Sequence, residues 1–143
     1  MMNSIKVYNP AWMVLILLLG IFLVAPVQAQ YKDKKFDMKE CEAKYNECTA
    51  TQNIVDSVIK DVESRKMNTL VFEELKDAKM WENKALAYME RVKKEMDEKK
   101  VCTYQMTEDL DQALQWMIKA GVAAVRGQIA QKQNLGDKET WRK

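Results

Sequence analysis

Histidine is missing altogether from the 143 residues of this chain. Its absence removes Ser–His and Cys–His nucleophile pairs, histidine metal sites, the E-x-x-H pairs of di-iron bundles and haem attachment through C-x-x-C-H. Glycine and proline are scarce as well, with four and two residues, which leaves no Gly-rich phosphate loop. Neither occurs anywhere from Val27 to Ala120, an interval that strands and tight turns would punctuate. An all-α fold follows. The net charge is only +2, so there is no concentrated basic surface to hold nucleic-acid phosphates. The ten methionines include no M-x-x-M or M-x-M cluster of the kind that soft metals favour, and they read as core filling. The chain is therefore read as not an enzyme, with no catalytic residue, cofactor or metal site.

A long apolar run is present, at the N-terminus. Ala11–Val27 reads AWMVLILLLGIFLVAPV and would reach about 26 Å as a helix, slightly short of the roughly 30 Å hydrocarbon core. Pro26 and the small-x-small pattern Val27-Gln28-Ala29 follow it, and Lys6 precedes it. Residues 1–29 thus read as a secretory signal peptide cut after Ala29. Lys32, Lys34 and Lys35 stand directly behind the run, and positive flanking charge favours the cytoplasmic side. The alternative is a retained single-pass membrane anchor, and membrane contact is expected only if Ala11–Val27 is kept.

Residues 30–136 read as one helical domain. The first helix, over 35–65, carries the stripe Cys41, Tyr45, Cys48, Gln52, Val55, Ile59 and Val62 at 4-3 spacing, with Gln52 the polar residue able to set register. The second, over 69–100, carries Val71, Leu75, Ala78, Glu82, Ala85, Met89, Val92 and Met96. The two registers are offset by two residues, which places a break around Arg65–Thr69 with Asn68 or Thr69 as cap. A connection that short makes the helices an antiparallel hairpin. Thr107, with Glu108 and Asp109 behind it, marks the start of a third helix over 107–133. Its expected buried face is Leu110, Ala113, Leu114, Met117, Ile118, Gly121, Val122, Val125 and Ile129. The expectation is a three-helix bundle of coiled-coil character, ending near Gly136, with a flexible tail over 137–143.

Cys41 and Cys48 are seven residues apart, so on one helix their Cα atoms lie about 10.5 Å from each other, beyond the roughly 7 Å that a disulfide spans. Folding the second helix back on the first carries Cys102 to the start of the first, and Cys41–Cys102 is the expected bridge. Cys48 is then left over, either buried in the seam or bonded to a second chain. Trp81, Met89, Met96, Trp116 and Trp141 are the candidate interaction residues, since aromatic and methionine side chains anchor interfaces. The functional expectation is a periplasmic or secreted helical protein acting through protein partners, self-association included, as adaptor, inhibitor or holdase. A membrane-anchored accessory subunit is the second reading, and a small-ligand or metal carrier the third.

Overall fold

The structure, a computed structural model, describes residues 35–133. The apolar run, its cleavage site, the 137–143 tail and Trp141 lie outside the described residues. Three long helices account for most of what is described: α1 (Met38–Glu63), α2 (Thr69–Lys99) and α3 (Tyr104–Lys132). Two short strands, β1 (Lys35–Phe36) and β2 (Cys102–Thr103), pair antiparallel with Lys35 opposite Thr103 and Phe36 opposite Cys102. Residues 35 and 36, expected to open the first helix, lie in this ladder instead. Asp37 caps α1, its side chain accepting from the Lys39 amide at 3.1 Å.

The break between α1 and α2 falls at Ser64–Asn68. Asn68 is fully buried and its side-chain oxygen accepts from the Val71 amide at 2.9 Å, satisfying one of the unpaired donors of the new helix. α2 ends at Lys100, which takes the left-handed conformation (φ 51°) more usual for Gly or Asn. The third helix starts earlier than the Thr107 signal suggests. Thr103 is its cap, accepting from the Met106 amide at 3.3 Å, while the Thr107 hydroxyl donates to the Tyr104 carbonyl at 2.7 Å. The strand pairing of Thr103 explains the shift, because it holds that residue extended as a cap must be.

α1 and α3 run parallel, and α2 runs antiparallel to both. Lys44 pairs with Asp111, Val55 lies against Gly121 and Gln128 bonds Asp61, so both helices ascend together. Lys79 pairs with Glu63 and Arg91 with Asp109, in the descending sense. α3 lies close to both neighbours along its length, whereas the α1 and α2 backbones stay farther apart. All eight expected seam residues of α2, from Val71 to Met96, are buried. On α1, Cys41, Cys48, Val55, Ile59 and Val62 are buried, with Tyr45 and Gln52 half-buried.

The buried face of α3 differs from the expectation. Leu110, Ala113 and Met117 are buried as expected, but the face then continues through Ala120, Ala124, Gly127 and Gln131. Ile118, Val122, Val125 and Ile129 point the other way and are 52%, 46%, 41% and 45% exposed. The reason is distance. A Cβ added at Gly127 would sit 3.6 Å from Glu74 Cβ and 3.7 Å from the Val71 carbonyl oxygen, so at this separation the seam favours Ala and Gly. Close helix approach selects small side chains and turns the branched ones outward.

Candidate interaction surface

The end of the bundle that carries β1 and β2 is closed by sulfur. Cys41 and Cys102 form a disulfide with Cα atoms 5.8 Å apart, joining the first turn of α1 to the segment between α2 and α3. Cys48 lies farther along the same face of α1 and is buried, its thiol donating to the Leu110 carbonyl at 3.4 Å. Burial, reinforced by the Glu47 and Asp111 charges, pushes its pKa up to about 11. It is therefore a protonated packing group at neutral pH, and its burial leaves no access for a second chain.

The two described tryptophans lie along the α2–α3 seam, both half-buried. Trp81 is flanked by the Lys84 and Lys119 ammonium groups at 4.4 and 4.9 Å from the ring centre. Trp116 packs edge-on against Tyr88 at 4.8 Å, and Arg91 lies over the other ring of that pair, Tyr88, at 4.4 Å. Arg91 also reaches the nearly buried Asp109 at 2.7 Å, which accepts from Gln105 as well. These rings and cations join α2 to α3. Met89 and Met96, expected as contact residues, are 2% and 4% exposed and belong to the core. They fall on the α2 seam, which the other two helices cover. Met89 only edges an open groove of about 420 Å³ between α1 and α2, shared with Tyr45, Gln52, Leu86, Glu90 and Lys93.

Besides Asn68, Thr107 and Asp109, two further polar residues are buried, Glu82 and Gln131. Glu82 occupies a seam position of α2, and its pKa is pushed up to about 7. Burial is the main cause, followed by a hydrogen bond with the Asp56 carboxyl and that group's charge, with Lys79 acting in the opposite sense. Gln131 of α3 donates to the carbonyls of Val62 and Lys66 at 3.0 and 2.9 Å, receiving the C-terminal end of α1 where no glycine cap exists. Among the described residues, no three acids or cysteines converge into a metal-holding group.

The outer faces of the helices are unlike one another. The second half of α2 presents charge almost throughout, from Glu90 and Arg91 to Asp97 and Glu98, while its first half also exposes Leu70, Phe72 and Met80. The opposite layer, α1 and α3, is far less charged. Residues 48–59 of α1 hold a single charged residue, Asp56, turned toward Glu82. Residues 112–133 of α3 hold no acid at all and three bases. Ile118, Val122, Val125 and Ile129 follow 4-3-4 spacing, a second seam on the helix side opposite the first. Ile54 of α1 is 67% exposed and lies on this same side. It is one heptad before Asp61, which reaches across to Gln128, while Ile118 is one heptad after Asp111, which reaches across to Lys44. The sequence carries the signal for this second seam, since Ile118, Val122, Val125 and Ile129 stand out at helical spacing, but spacing does not say which of two apolar faces turns inward.

No helix among the described residues is long and apolar enough to cross a membrane. No family model, curated protein or solved structure matches the chain.

Proposed function

We propose that this chain is an exported, non-enzymatic helical protein that works by protein–protein contact through the outer face of α1 and α3. The observation that carries the reading is the exposed row Ile118, Val122, Val125 and Ile129 with Ile54 beside it. Soluble helices put polar residues where these stand, and a helix that is apolar on opposite sides is one that something else covers. The disulfide supports export, because such bonds persist in oxidising compartments. Within this reading, the bundle serves as adaptor, inhibitor or holdase in the cell envelope. A membrane-anchored accessory subunit of a larger complex is the second reading, favoured by Lys32, Lys34 and Lys35 directly behind the apolar run.

The test is made in the native host, with a photo-crosslinking residue placed at position 122 or, as control, at position 94, among Glu90, Arg91, Asp97 and Glu98 on α2. The expected result is a protein adduct from 122 and none from 94, on a chain that begins at Gln30 and carries one disulfide. A chain beginning at Met1 or Met2 with the same adduct selects the anchored reading. Reduced cysteines and no adduct from 122 would overturn both.

A further inference from the structure

We infer that the exposed stripe of α3 receives an amphipathic helix of a partner protein whose one flank is acidic, with carboxylates seven residues apart. This rests on the reading that the α1/α3 face is the contact surface, and adds the chemistry of what it contacts.

The shape comes first. Ile118 to Ile129 extends about 16.5 Å along α3, three helical turns. α1 runs parallel beside it at matching height, with Val55 level with Gly121. Gly121 lets the helices pack closely, since a Cβ there would meet Val55 at 3.4 Å, and Ile54 stands exposed on the α1 side. The α3 row, with Ile54 of α1 beside it, makes an apolar strip of the length a partner helix covers with anchors at i, i+3, i+4 and i+7.

The charge identifies the flank. Lys119 and Arg126 are exposed, seven residues apart, and both border the stripe on its side away from α1. On the α1 side the bordering residues include Glu47 and Asp61. The strip is thus basic along the edge away from α1, where Lys119 also lies over Trp81, while on the α1 edge Asp61 is already held by Arg65 and Gln128. A helix seated in it meets two cations on one flank, placed to pair with carboxylates at i and i+7. A second copy of this chain fits less well. Antiparallel pairing of two α3 stripes, centred between Val122 and Val125, sets Lys119 against Arg126 of the other copy, twice. An anionic bilayer is disfavoured because the stripe has none of the Trp or Phe that interfacial helices bury.

Binding is measured by fluorescence anisotropy on the chain as isolated from its host. Two synthetic helices of about six turns share a Leu seam and differ only at two flank positions seven apart, Glu in one and Lys in the other. The expected result is tighter binding of the Glu peptide by about tenfold or more at low salt, with the gap shrinking in about 0.5 M salt. K119E with R126E should invert the preference. V122D should remove binding of either peptide with an unchanged circular dichroism spectrum, because position 122 faces solvent. Equal binding of the two peptides, or of neither, overturns the inference. So does a dimer seen by sedimentation that V122D abolishes, or V122D-sensitive flotation with phosphatidylglycerol vesicles. The crosslink from position 122 to another protein separates the two levels: if it persists, only the partner's chemistry was wrong.

Discussion

Two polar residues in the interior have consequences that can be measured one side chain at a time. Glu82 has a folded-state pKa of about 7, against 4.5 for the ordinary group. A carboxyl whose pKa is raised on folding is bound by its proton more tightly in the native state, so stability falls as pH rises from about 4.5 through 7. Thermal melts at pH 5 and pH 8 should show the protein less stable at pH 8, by an amount on the order of 2 kcal/mol from this group. Glu82→Gln should flatten that dependence and raise the melting temperature at pH 8. Gln131 acts on α1 from another helix. Gln131→Ala removes the side-chain donor from the Val62 and Lys66 carbonyls, leaving Val62 with the Arg65 amide alone at 3.2 Å, and urea unfolding should report a loss of about 1–3 kcal/mol.

At the scale of the element, α3 is the helix whose two faces are both apolar, and its small residues decide which is inside. Met117 is fully buried while Ile118, next to it, is half exposed. Met117→Ala should cost about 2–5 kcal/mol in chemical denaturation, whereas Ile118→Ser and Val125→Ser together should shift stability by no more than about 0.5 kcal/mol each. A larger loss from the serine pair would show that the stripe is core, and the contact face would go with it. Gly127→Ala has ordinary contact distances to its neighbours and removes a helix-propensity penalty of about 1 kcal/mol, so it should be neutral or stabilising. Gly127→Leu should destabilise by about 1–3 kcal/mol because the α2 backbone cannot yield.

At the scale of the whole molecule, the clamp between Cys41 and Cys102 joins the start of the first helix to the start of the third. It spans 61 residues of sequence, and in the chain-entropy model closing such a loop is worth about 4 kcal/mol. Reduction, or paired Cys41→Ser and Cys102→Ser, should lower unfolding free energy by about that much and lower the urea midpoint. Under native oxidising conditions Cys48 should resist thiol reagents at pH 7 and react only on unfolding, because its thiol is buried and its pKa lies near 11. Rapid labelling of the folded protein would contradict the packing of α1 against α3.

Much of this architecture could be read before any tertiary information. The seam of α2 is legible because a 4-3 repeat with mostly charged residues elsewhere has one possible inside. The disulfide is legible because helix geometry forbids Cys41–Cys48, and a short turn returns Cys102 to Cys41. The phase of α3 is not legible in the same way. Its sequence holds two apolar faces, one of Ile and Val and one of Ala and Gly, and hydrophobicity ranks the wrong one as core. Interhelix distance decides between them, and that distance exists only once three helices are assembled. The same holds for Gln131, whose partners are nearly seventy residues away, and for the short β1–β2 ladder, which carries no strand signal of its own. Periodicity belongs to a single helix and is written along it; which of two competing faces turns inward depends on how near the neighbours come.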